Sequence, residues 1–197
     1  MDFASQLIPD LPPTENSITT LIKGSQFSDW KSLNDTIMGG SSRAKCRSSD
    51  QGLFLEGNLV EEGGGFVSCR SPIFTKPFNL SDYSGLILDV AGEGRTLKFA
   101  IACEKKTLSL SNFLKGDIRW VASIPTQKDG VSRIKIPFKD FEPTRRAKPV
   151  RLPLRFDPTC INRFQLLHSK FGQPGKMNSG FLAGPINLLI KSISAYS

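Results

Sequence analysis

Asp35 stands in a stretch built to shape a backbone: Asn34-Asp35-Thr36-Ile37-Met38-Gly39-Gly40-Ser41-Ser42. Asn and Asp side chains bond their own backbone two residues on, and Gly-Gly admits positive φ, so the local reading is a tight, specifically formed turn. Such a turn either starts a strand or presents a surface to a partner. Met38 suits both roles, because an adaptable thioether fills a core gap or a protein contact equally well. A second glycine-marked stretch, Gly63-Gly64-Gly65-Phe66-Val67-Ser68-Cys69-Arg70-Ser71, follows. Glycines permit close backbone approach, so the two loops are expected side by side at one end of the fold. The partner surface they form would include Asn34, Asp35, Met38, Gly39, Gly40 and Arg70.

Acid–base and metal chemistry find less support. Asp35, Asp82, Asp89 and Glu93 have no fixed mutual spacing, and turn carboxylates usually make turns. His168 is the one histidine. It has no G-x-S-x-G nucleophile motif nearby and reads as packed or surface-lying. Gly92-Glu93-Gly94-Arg95 reads as a hairpin turn; a phosphate cradle needs a helix N-terminus after it, and a strand follows instead. Cys46, Cys69, Cys103 and Cys160 are far apart with no C-x-x-C pair, so four reduced thiols in a reducing compartment are expected, and no zinc site. The chain is expected to be no enzyme, with no catalytic set, metal or cofactor.

Charge is the other prominent feature. The formal net charge is +8, which favours an acidic partner. Lys139 to Lys176 holds nine Lys or Arg against three Asp or Glu. Arg145, Arg146, Lys148, Arg151 and Arg155 form its centre, with Pro143, Pro149, Pro153 and Pro158 keeping the backbone extended. The expectation is a projecting loop that meets an acidic protein surface or anionic lipid. RNA phosphates are an alternative, although the aromatic stacking signature of an RNA recognition motif is missing. Sugar modules stack rings on exposed Trp and Tyr. This chain has two of each against fourteen Phe, which prefer a core.

The elements that must position these residues are strands. At 197 residues the chain fits one domain with an arm. Residues 1–26, broken by Pro9, Pro12 and Pro13, read as an irregular N-terminal arm, and 27–197 as the domain. Strand patterns run over Gly52–Leu59, Phe66–Ser71, Leu86–Val90, Leu97–Ile101, Ile118–Ile124, Val131–Phe138, Ile161–Leu167 and Ile186–Ile193. The pair flanking Gly92–Arg95 is expected to form a hairpin. Many short strands without an amphipathic helix imply an all-β sandwich or barrel. No apolar run approaches the roughly 18 residues of a membrane span. The first residues, with Asp2, Asp10 and Glu15 and no Lys or Arg before Lys23, resemble neither a signal nor a transit peptide. The expected location is the cytoplasm, or an organelle matrix or stroma once a transit peptide is gone, at most peripheral to a membrane.

Taken together, Asn34–Ser42 and Gly63–Arg70 resemble the complex I intermediate-associated protein 30 family, with its N-D-T-V-M-G-G-x-S and G-G-F-x-S-x-R signatures. Ile37 replaces Val in the first. Asp82-Tyr83-Ser84-Gly85-Leu86, Gly92–Arg95 and Ile136-Pro137-Phe138-Lys139-Asp140-Phe141 are similar to further family motifs, so the likeness covers Phe27 to Ala195. It implies a galactose-binding-like, two-sheet jelly-roll β-sandwich. It also implies a non-enzymatic assembly factor whose partners are subunits or assembly intermediates of a membrane-bound respiratory or photosynthetic redox complex. The alternatives are an RNA-binding regulatory protein of photosynthetic or respiratory gene expression and a carbohydrate-binding module.

Overall fold

The computed structural model describes residues 17–103, 118–172 and 176–197. Its strands in chain order are β1 (Ile18–Lys23), β2 (Lys31–Ser32), β3 (Arg43–Ser49), β4 (Gly52–Leu59), β5 (Phe66–Arg70), β6 (Gly85–Ala91), β7 (Thr96–Cys103), β8 (Ile118–Pro125), β9 (Ser132–Pro137), β10 (Glu142–Arg145), β11 (Lys148–Pro149), β12 (Ile161–Ser169) and β13 (Gly184–Tyr196). They form two antiparallel sheets. The first runs β3-β4-β13-β6-β9, with β1 also on β13, and the second runs β11-β10-β8-β7-β12-β5-β2. This is the expected β-sandwich.

The core lies between the sheets because each strand alternates. Leu86, Leu88 and Val90 of β6 face Leu97, Phe99 and Ile101 of β7 within one buried cluster. That same alternation misleads about pairing. Glu93 and Gly94 adopt positive φ and Arg95 N–H bonds Gly92 O at 3.0 Å, as a tight hairpin turn requires. Yet β6 pairs β9 and β13, while β7 pairs β8 and β12. The expected hairpin is therefore a corner between sheets. Two strands with one apolar face each satisfy burial across a sandwich as well as within a sheet. Buried Arg95 braces the corner, donating to Glu93 and to Pro185 O of β13 at 2.7 Å.

Two further expectations need correction. Ile18–Lys23, assigned above to the arm, is a strand laid along β13; residues 1–16 lie outside the described residues. Cys46 and Cys69 are not free thiols. They form a disulfide with a Cα–Cα distance of 5.9 Å, joining β3 of the first sheet to β5 of the second. Distance along the chain hid the pair, because the fold rather than the spacing brings them together. The cysteines thus give no support for a reducing compartment. Cys103 and Cys160 remain thiols, both pushed up by burial first and by Asp157 as well.

Candidate functional site

The two glycine-marked loops do lie side by side, and Asp35 is what joins them. Leu33 N–H bonds Ser68 O at 3.0 Å and Ser68 Oγ donates to Leu33 O at 2.7 Å, so the chain leaves β2 already docked on β5. Asn34 Nδ2 donates to Ala44 O at 2.9 Å. A short 3-10 turn, Asp35–Met38, follows and ends at Gly39 with φ 87°. Asp35 points inward and is fully buried. Its Oδ1 accepts Ser42 N–H at 2.9 Å; its Oδ2 accepts Ser42 Oγ–H at 2.6 Å, Gly65 N–H at 2.6 Å and Phe66 N–H at 3.3 Å. Ser42 Oγ in turn accepts Val60 N–H at 2.9 Å.

The glycines are spaces for that carboxylate. A Cβ on Gly40 would sit 2.4 Å from Asp35 Cγ, and one on Gly64 would sit 2.3 Å from Oδ2. Burial raises the Asp35 pKa, but the Ser42 hydroxyl and the N–H groups of Gly65, Ser42 and Phe66 outweigh it and hold it below the ordinary value. A carboxylate that is fully buried and holds four donors has no surface to offer a partner, which corrects its expected contact role. It shapes the loop instead. What the loop presents is Ile37 and Met38, 64% and 68% exposed, beside exposed Gly39.

The basic tract is not a free loop. Arg145 and Lys148 pair across a two-residue turn, Arg146-Ala147, both at positive φ, so the tract forms a hairpin that extends the second sheet. Arg146, Lys148, Arg151 and Arg155 are exposed and Arg145 half-buried. Among the described residues none of these five forms an ion pair. The hairpin occupies one edge of the sheet and the Asp35 loop adjoins β2 at the other edge. Six interstrand spacings, roughly 29 Å, separate them, so the loop and the hairpin are two separate surfaces. Arg70 lies on β5, beside the loop.

Acid–base candidates stay apart. Asp89 accepts Ser192 Oγ at 2.9 Å and lies 3.7 Å from Arg133, beside an open hollow of about 960 Å³ also lined by Lys23, Asp50 and Lys191. His168 is buried in the core, stacked on Phe181. Its Nδ1 lies 3.1 Å from Thr96 O, a carbonyl that only accepts, so Nδ1 carries the proton and Nε2 accepts Leu182 N–H at 3.3 Å. Burial first, with the Arg95 charge, pushes its pKa down from 6.5 to about 4. A histidine depressed in the folded state contributes stability above pH 6.5 that is lost as pH falls towards 4. That loss should reach about 3 kcal/mol, since one pKa unit is about 1.36 kcal/mol. Urea unfolding at pH 7.5, 5.5 and 4.5 should show it, and His168→Gln should flatten the dependence. Equal slopes in both proteins would refute the assignment.

Comparisons place this geometry among known proteins. The family model described as complex I intermediate-associated protein 30 matches residues 20–190. A Schizosaccharomyces pombe protein, itself described as uncharacterized, is 27% identical over 181 residues, 85% of this chain and 77% of its own. The family 11 carbohydrate-binding module of Clostridium thermocellum, in complex with a β-1,3-1,4-mixed-linked tetrasaccharide, superposes with TM-score 0.63 at 14% identity, covering 93% of this chain and 96% of its own. An agarase superposes with TM-score 0.56 at 10% identity, covering 91% of this chain and 24% of its own. At these identities the likeness is one of fold.

Proposed function

The chain belongs to the complex I intermediate-associated protein 30 family, and from that premise we propose that it is a non-enzymatic assembly factor for a membrane-bound redox complex. The family match over residues 20–190 carries the reading. Its partners are subunits or intermediates of that complex, met by the apolar tip Ile37-Met38 and by the basic hairpin. Two features support this. The tip is held rigid by the Asp35 network, so little ordering is needed on binding. The hairpin carries positive charge, mostly exposed and without an ion pair among the described residues, which speeds encounter with an acidic surface. No helix among the described residues is long and apolar enough to cross a membrane.

The carbohydrate alternative draws on the fold alone. Trp30, Trp120, Tyr83 and Tyr196 are all buried, so they offer no stacking platform for a sugar ring.

The hairpin's part is tested by reversing Arg145, Arg146 and Arg151 to Glu. Exposed charge pairs contribute only about 0–1 kcal/mol each, so thermal melting should barely move. Association with the partner complex at low salt should slow about 10-fold, and the salt dependence should weaken. Equal binding at low salt would show the hairpin to be only a solvated face, and a collapsed melt would show its arginines to be structural.

A further inference from the structure

Beside the Cys46–Cys69 disulfide the chain keeps two thiols, Cys103 and Cys160, far apart in sequence. Cys103 is the last residue of β7, and Cys160 closes the 3-10 turn Pro158–Cys160 that leads into β12. The two strands pair antiparallel with Cys103 opposite Ile161, the residue after Cys160. A residue one step from a registered partner lies roughly 6 Å away, Cα to Cα. A disulfide spans about 4.4–6.8 Å between its Cα atoms. The backbone therefore already places the pair at bonding range.

The turn that carries Cys160 is well anchored. Asp157 Oδ1 accepts the N–H and the hydroxyl of Thr159 at 2.9 and 2.6 Å. Pro158 O accepts Leu80 N–H at 2.8 Å, and Ile161 exchanges both backbone hydrogen bonds with Phe78 at 2.8 and 3.1 Å. Side chains converge as well as backbones. Asp157 O lies 3.3 Å from Cys103 Sγ and 3.7 Å from Cys160 Sγ, so both sulfurs sit on one oxygen. They also hydrogen-bond each other. Burial first pushes both thiols up; their mutual bond raises Cys103 further and favours the thiolate on Cys160. Cys103 is half-buried and Cys160 buried.

We propose that Cys103 and Cys160 form a dithiol site that a low-molecular-weight disulfide oxidises to a second intramolecular disulfide. The less buried Cys103 gives up its proton and attacks one sulfur of the oxidant. A mixed disulfide forms, and the first thiol leaves with that proton. The Cys160 thiolate, favoured by its neighbour, then attacks the Cys103 sulfur. The protein's own S–S bond forms, the mixed disulfide breaks, and the second thiol leaves with the Cys160 proton. Two protein thiols have lost two electrons, and the oxidant has become two thiols. The site is independent of the hairpin and of the assembly role.

The test uses the full chain equilibrated in glutathione and glutathione disulfide, folded and in urea, then alkylated, cut with trypsin and mapped by mass. The new bond would link peptide 99–105 to peptide 156–163, whereas Cys46 and Cys69 fall in 46–47 and 48–70. The linked pair is expected in the folded protein. Its equilibrium constant should be at least about 10-fold higher folded than in urea, because the fold supplies a high effective concentration of one thiol at the other. The proposal is overturned if both thiols still alkylate in buffers that oxidise Cys46–Cys69. Glutathione held stably on Cys103 without the link, or an equilibrium constant no higher folded than in urea, would overturn it equally.

Discussion

Asp35→Ala should cost about 3–5 kcal/mol of stability, the largest effect of any single substitution outside the hydrophobic core. Four donors converge on this carboxylate: the N–H and hydroxyl of Ser42 in its own loop, and the N–H groups of Gly65 and Phe66 in the opposite one. Removing it leaves them buried and unpaired. Melting temperature should fall by roughly 10 °C. Asp35→Asn should fall between wild type and alanine, because its amide N–H₂ must face at least one N–H donor. Gly64→Ala should also destabilise, by about 1–3 kcal/mol, since its Cβ would sit on a carboxylate that four hydrogen bonds hold in place. Combining Asp35→Ala with Gly64→Ala gives the sharper check. With the clashing atoms gone, the alanine at position 64 should cost much less. Strict additivity would show that the glycine serves some other purpose. Because its pKa is lowered, Asp35 contributes stability above its ordinary value of 3.8, and that contribution is lost as pH falls below it.

Reduction of the Cys46–Cys69 bond should be the second large effect. The bond closes a sequence separation of 23 residues, for which chain entropy in the unfolded state gives about 3 kcal/mol. It also fastens the two sheets near the Asp35 loop, since β3 follows that loop and β5 contains its docking strand. Cys46→Ser/Cys69→Ser and the reduced wild type should melt at similar temperatures, both below the oxidised protein. Oxidised and reduced samples melting together would mean that the bond is absent in solution.

The sequence reading was most reliable where one residue property acted locally. Ile186–Ile193, Gly52–Leu59 and Ile161–Leu167 alternate strongly, and all three are strands. The adjacency of the two glycine loops was legible too, because glycines with rich neighbouring side chains announce close approach. What failed was long-range choice. Leu86–Val90 and Leu97–Ile101 show the same alternation whether they pair or face each other across a core. Cys46 and Cys69 are joined by topology that no spacing encodes. Arg43–Ser49 is a strand with mostly exposed side chains, held by its ladder to β4, so hydrophobic pattern gave no sign of it.

The central claim is that this sandwich binds intermediates of a membrane redox complex. Its most direct test is capture of the tagged wild-type protein from source-cell membranes, with quantitative identification of bound subunits. A parallel capture uses Met38→Glu, which changes the exposed tip and leaves the Asp35 network intact. The account predicts that wild type enriches NADH dehydrogenase complex subunits and that Met38→Glu loses most of them while melting normally. Recovery of RNA or glycan with no membrane-complex subunit would contradict it.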